Sequence, residues 1–289
     1  MKPSYGEKAF QAFNYAFMLA ASATMLFPLL QMLAVSFSSP EAADSKKVFL
    51  LPVEFTMGTW DHVIRSQALW GSFGVTIFIT VVGTFLSVLF SLLMAYPLSR
   101  KELLIRKPIM FGIVVTMIFN APMIPYFLTV RELGLMNTIW VLIIPSLIGT
   151  FNMIVIRTFL MGIPPELDDS ARIDGCNDFG ILFRIYLPLS KPVIATVSLF
   201  YAVGYWNTFT QAVLFVHDQT KWPLQMRLRA YLQSPEELAS VNLFLGDYDF
   251  NTTTLKAATI LFATIPIVLV YPFLQKYFVK GSLLGSLKG

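Results

Sequence analysis

Six stretches of this chain contain no Asp, Glu, Lys or Arg: residues 9–40, 66–99, 108–130, 133–156, 192–217 and 257–275. An unpaired charge in hydrocarbon is costly, so uncharged apolar stretches beyond ~18 residues are what a bilayer selects. One such stretch also suits the buried core helix of a soluble protein, but six in 289 residues do not. The charged fraction is 13%, about half the roughly 25% of soluble domains. The expected fold is an all-α integral membrane protein, a single transmembrane domain over 1–289. Its six transmembrane helices fall at about 11–37, 72–98, 109–130, 138–157, 193–216 and 257–278.

The first stretch follows Lys2 and Lys8, as a signal peptide would, but Ala9–Phe37 far exceeds a ~7–15-residue signal core. It reads as a retained span with Pro28 as a kink point. Six spans put both termini on one side, and the Lys/Arg bias chooses the side. With the N-terminus inside, 13 of the 21 basic residues lie in cytoplasmic segments, four of them in "SRKELLIRKP". The expected topology is N-in/C-in, with long outer connections near 38–70 and 217–256 and one long inner connection at 164–192.

Several functions are excluded or weakened by what the chain lacks. Cys176 is the lone cysteine, so there is no intramolecular disulfide or Cys-based metal site, and two histidines, His62 and His217, rule out a three-histidine centre. No cluster of catalytic groups is evident, and no G-x-x-x-x-G-K-[ST] phosphate loop is present, so the chain should neither catalyse a reaction nor hydrolyse ATP itself. No metal or cofactor is expected in it, and no nucleic acid as partner.

The inner connection, "PPELDDSARIDGCNDFGILFRIYLPLSKP", holds five acids, Glu166, Asp168, Asp169, Asp174 and Asp178. Pro164 and Pro165 suit a helix start, and Glu166, Asp168 and Asp169 sit in the first turn where the helix dipole stabilises carboxylates. Gly175 is placed to stop the helix. A helix over Pro165–Asp174, a tight corner and a second short helix over Phe179–Tyr186 follow. A solvated loop need not carry Leu167, Ala171, Ile173, Phe179, Leu182, Phe183 and Ile185. A helix lying on lipid favours Lys and Arg, whereas here acids outnumber Arg172, Arg184 and Lys191. The balance favours docking against a protein surface.

This segment resembles the EAA loop of permease subunits in binding-protein-dependent ATP-binding-cassette (ABC) importers. That pattern is Glu-Ala-Ala, three residues, Gly, nine residues, Ile, one residue, Leu-Pro. Asp169, Ser170 and Ala171 take the first three places, followed by Gly175, Ile185, Leu187 and Pro188 at the right distances. Asp169 and Ser170 depart conservatively from Glu and Ala. The six-span layout and the tail "YPFLQKYFVKGSLLGSLKG" are similar to carbohydrate-uptake permeases of the maltose type, in the branch of oligosaccharide and polysaccharide importers. The resemblance implies a multi-pass protein of the bacterial cytoplasmic (inner) membrane, paired with a second homologous permease subunit. It further implies two ATPase subunits, which would hold ATP and Mg, and an extracytoplasmic sugar-binding protein. The expected ATPase-coupling residues are Glu166, Asp169, Ser170, Ala171, Asp174, Gly175, Ile185, Leu187 and Pro188.

Sugars bind through hydrogen bonds to hydroxyls and through aromatic faces. "AVGYWNTFTQAVLF" offers both in span five: Tyr205, Trp206, Asn207, Thr208, Thr210 and Gln211. Asn207 and Gln211, spaced i, i+4, share a face if the helix is continuous. The same groups also suit helix–helix hydrogen bonding or an interfacial aromatic belt. In span three Pro122 and Pro125 break the helix, and Asn120 is a further pathway candidate. Lys221, Arg227 and Arg229 in the last outer connection suit an acidic oligosaccharide, although acids in the same loop offset them. The rival reading is an ion-coupled secondary transporter, which usually carries an ionisable relay within its spans; the charge-free runs hold no Asp or Glu for one.

Overall fold

The computed structural model describes residues 4–119, 121–232 and 251–270, together with the backbone alone of 233 and 271–286. Asn120, 234–250 of the last outer connection and the side chains of the 271–289 tail lie outside the described residues. The described secondary structure is entirely helical. In chain order the α-helices are α1 (Tyr5–Ser36), α2 (Pro40–Asp44), α3 (Gly58–Arg65), α4 (Gln67–Ser99), α5 (Arg106–Ile118), α6 (Met123–Glu132) and α7 (Thr150–Leu160). There follow α8 (Glu166–Ile173), α9 (Asp178–Ile181), α10 (Leu187–Leu189), α11 (Lys191–Trp206), α12 (Thr210–Phe215), α13 (Leu224–Gln233) and α14 (Thr252–Ser286).

Among the described residues, three helices are long and apolar enough to cross a bilayer alone: α1, α4 and the Thr252–Val270 part of α14. At 1.5 Å per residue the 33-residue α4 is about 50 Å long, well beyond a ~30 Å hydrocarbon core. Pro28 lies inside α1 without ending it. Three further bent helix pairs satisfy the length and composition together, which allows up to six spans.

Three of the expected spans are interrupted, span three at its prolines as expected and spans four and five where continuous helices were expected. Span three is α5 and α6, bent by 115°, with Pro122 at the N-cap of α6 and Pro125 in its first turn. Span four begins as two 3-10 turns, Ile139–Leu142 and Ile144–Ser146, and only then becomes α7, at a 46° bend. Pro145 and Gly149 lie in that irregular half. Span five breaks after Trp206 and restarts at Thr210, so Asn207 and Gln211 do not share one helix face. Here no proline intervenes; Asn207 Nδ2 donates to Val203 O at 2.9 Å and Thr208 Oγ1 to Gly204 O at 3.4 Å. Side chains that bond their own preceding turn favour helix ends over helix interiors.

The described residues fall into two compact units, 1–67 with 228–266 and 68–227 with 267–289. In the first, Ser4 and Glu7 form a capping box that starts α1. Trp60 on α3 stacks on Phe37 at 5.5 Å, and its indole N–H donates to Ser36 Oγ at 3.1 Å. Thr59 reaches Thr254 on α14, and Asn251 donates to Pro40 O. Residues 37–60 are thus folded back on the end of α1 and the start of α14.

In the second unit, α4 carries a seam of small residues: Ser72, Thr76, Gly83, Ser87 and Ser91 are buried. A Cβ on Gly83 would lie 2.8 Å from the Tyr205 ring, so the glycine admits close approach of α11. Tyr205 then bonds Ser87 at 2.8 Å and Tyr201 bonds Ser91 at 2.7 Å. Around this seam Ile79, Leu92, Leu142, Ile143, Met153, Ile156, Val197 and Phe215 form the core.

Candidate functional site

The segment 164–192 folds as a helix, a corner and a second helical run. Pro165 is the N-cap of α8, and the acids Glu166, Asp168 and Asp169 occupy its first turn. The C-terminal end is a Schellman motif: Cys176 N–H donates to Ala171 O at 2.9 Å, Gly175 N–H donates to Arg172 O at 3.1 Å, and Gly175 has φ +78°. Asn177 caps α9 by accepting from Gly180 N–H at 2.7 Å, while exposed Arg172 and Asp178 pair across the corner at 2.6 Å. After α9 the chain continues through a π-helical turn, Leu182–Tyr186, into α10, so the second helix runs past its expected end.

The two faces of α8 differ. Glu166, Asp169, Ser170 and Asp174 are exposed, as are Ile173 (86%) and Phe179 beyond the corner (66%). Ala171 and Asp168 are buried. Ile185 and Leu187 are half-buried against the core, and Pro188 is exposed. The expected coupling residues are thereby gathered on one segment, most of them outward.

The inward acid, Asp168, was not singled out by the sequence, and its surroundings are specific. It pairs with the Arg100 guanidinium, which projects from the end of α4, and Arg100 Nη2 donates to Asp168 Oδ1 at 2.9 Å. Tyr186 O–H donates to the other carboxylate oxygen at 3.0 Å. The guanidinium lies 4.5 Å from the Tyr96 ring centroid and 4.7 Å from that of Tyr186. Burial raises the Tyr186 phenol above its ordinary range, against the opposing pull of Arg100, so it remains a donor. Nearby, Arg157 Nε donates to Leu98 O at 2.8 Å, satisfying one of the carbonyls that the end of α4 leaves without a helical partner. The only sequence signal for Arg100 was its place in a basic loop.

A cavity of about 460 Å³ opens beside the break in span five. Tyr205, Asn207, Thr208, Thr210 and Gln211 line it, with Ser146, Asn152, Phe200, Tyr201, Gly204 and Phe209. Every lining side chain is uncharged. The tyrosine hydroxyls are committed to the helix seam, since Tyr201 also accepts from Gly149 N–H at 2.8 Å. Gln211 Nε2 donates to Ser146 Oγ at 2.9 Å, and Asn207 Oδ1 accepts from Gln225 at 3.4 Å. Trp206 does not line the cavity: it is buried and meets Phe73 edge-on at 6.0 Å. Asn152, a polar residue within a charge-free run, is the signal that sequence reading passed over.

Lys221 and Arg227 of the last connection are engaged locally. Lys221 pairs with Asp218 at 3.2 Å and donates to Asn137 O at 3.0 Å. Arg227 is buried, lies 4.9 Å from the Trp222 ring and donates to Gln219 O at 2.8 Å. Arg229 is not among the residues lining the cavity.

Comparison with known proteins agrees with this organisation. Residues 82–282 match the family of the binding-protein-dependent transport system inner membrane component. The chain is 44% identical over 283 residues to the polygalacturonan/rhamnogalacturonan transport system permease protein YtcP of Bacillus subtilis, covering 98% of this chain and 99% of that protein. It is 43% identical to protein LplC of the same organism, covering 98% and 96%. Among solved structures, a bacterial ABC transporter involved in the import of the acidic polysaccharide alginate contains a chain that superposes with a TM-score of 0.89. Its sequence is 34% identical, over 96% of this chain and 99% of that one. This chain therefore belongs to the binding-protein-dependent transport system inner membrane components, the permease subunits of ABC importers.

Proposed function

We propose that this permease works in an ATP-driven importer that carries an acidic oligosaccharide from an extracytoplasmic binding protein across the bacterial cytoplasmic membrane. The observation that carries the reading is the two-faced α8: acids and bare apolar side chains outward, a buried acid and alanine inward. Such an element is held by its own chain and offers a surface to another. In this reading 164–192 is cytoplasmic, the six charge-free runs are six spans with both termini inside, and the whole chain is one membrane domain.

The outward face of α8, with Glu166, Asp169, Ser170, Asp174 and the Gly175 corner, docks an ATPase subunit that holds ATP and Mg. A second homologous permease completes the translocation path, and the cavity beside span five is this chain's share of it. Amides and hydroxyls of Asn152, Asn207, Thr208 and Gln211 offer hydrogen bonds to sugar hydroxyls, with Phe200 and Phe209 as apolar faces. An acidic cargo is supported by the relatives, since polygalacturonan and alginate both carry carboxylates. Lys221 and Arg227 do not add to that support, being engaged locally; charge selection is assigned to the binding protein.

Membrane vesicles holding the assembled complex and its binding protein test the reading. Uptake of a labelled galacturonate oligomer should require ATP, persist when ion gradients are collapsed, and exceed uptake of the carboxyl-reduced oligomer. Uptake lost only on collapse of the gradient overturns the ATP-driven mechanism in favour of ion coupling. Equal uptake of charged and neutral oligomers overturns the acidic cargo alone.

A further inference from the structure

The outward face of α8 explains how a partner grips the segment, but not how its displacement reaches the spans. A connection of this kind can slide against its own protein unless something fastens it. We infer that Asp168, Arg100, Tyr96 and Tyr186 form that fastening, a positioning joint that makes α8 move as one body with the end of α4. This rests on the importer reading above.

The joint joins three places far apart in sequence. Asp168 is on α8, Tyr96 and Arg100 are at the end of α4, and Tyr186 closes the π turn. The guanidinium reaches both carboxylate oxygens, the Tyr186 hydroxyl donates to one of them, and the guanidinium lies 4.5 Å and 4.7 Å from the Tyr96 and Tyr186 ring centroids. Tyr96 and Tyr186 meet edge-on at 5.4 Å, so the rings also pack on each other. Arginine suits this role because its flat, delocalised cation stacks and forks at once. With Asp168 7% exposed, the pair is largely removed from water, where separating it leaves a buried charge without its partner. An exposed pair of the Arg172–Asp178 kind gives way readily; this one does not. The direction of coupling follows from the packing: α4 also carries the small-residue seam on which Tyr201 and Tyr205 hang, and those tyrosines border the cavity. Motion of α8 is thereby delivered to the helix against which the cavity wall is bonded.

Asp168→Asn removes the charge and keeps the shape. In vesicles holding the complete complex, the variant should hydrolyse ATP at near the wild-type rate per assembled complex. Sugar delivered per ATP should fall by at least about tenfold. Tyr186→Phe, which removes only the hydroxyl, should lower the same ratio less. A merely structural role would reduce the amount of complex, or both activities in proportion, and an unchanged ratio of uptake to hydrolysis overturns the joint. If Asp168→Asn does not assemble, Tyr186→Phe decides by the same ratio. Absence of ATP-driven uptake in the wild-type complex instead overturns the importer reading, and the joint with it.

Discussion

Gly175 shows how little a residue need touch to be required. A Cβ built there meets nothing within 4 Å, so side-chain bulk is tolerated; the constraint is φ +78°, where L-residues are strained by about 1–2 kcal/mol and achiral glycine is not. Asparagine adopts that region far more readily than a β-branched residue. Gly175→Val should therefore lower sugar delivered per ATP severalfold, with Gly175→Asn close to wild type, measured on complexes matched for amount. Equal behaviour of the two variants would mean that the corner is not held by its backbone. Gly175 was legible because a helix stop is a local pattern, written within a few residues. Asp168 was not. Its first-turn position already had a sufficient local cause in the helix dipole, and its partner Arg100 lies 68 positions away, where no spacing rule connects them.

The elements are joined by what α4 omits as much as by what it presents. Gly83 leaves room for the Tyr205 ring, and the serines at 87 and 91 receive the hydroxyls of Tyr205 and Tyr201. Gly83→Val should force α11 outward and cost roughly 1–3 kcal/mol, as overpacking of a close contact does. Tyr201→Phe strips the hydroxyl shared by Ser91 and the Gly149 amide and should cost about 1–2 kcal/mol. Thermal unfolding of the purified complex, compared with wild type at equal detergent and lipid, checks both. At this scale the sequence was legible in part. The break in span three was written in Pro122 and Pro125. The break in span five had no proline, only Asn207 and Thr208, whose side chains compete for backbone bonds; a period count read straight through them. That is why Asn207 and Gln211 were expected on one helix face and are instead brought to one cavity from either side of a gap.

Over the whole molecule, charge is sorted by task. The apolar stretches exclude it, α8 displays it outward, Arg100 and Asp168 bury it as a pair, and the cavity has none. A neutral lining suits the acidic sugar proposed as cargo, because fixed cations would hold it and fixed anions would repel it. Gln211→Glu tests this with almost no change of shape, since Gln211 already sits at the cavity wall beside Ser146. A glutamate there faces an incoming uronate with like charge, and such juxtaposition costs several kcal/mol when water is excluded. Uptake of a galacturonate oligomer should fall by more than about tenfold, and uptake of its carboxyl-reduced counterpart much less. Gln211→Ala, which removes the hydrogen bond without adding charge, should weaken both alike through a raised half-saturating concentration. Equal losses of charged and neutral sugar in Gln211→Glu would place the cargo's carboxylates away from this wall. No loss of either would remove the cavity beside span five from the path altogether.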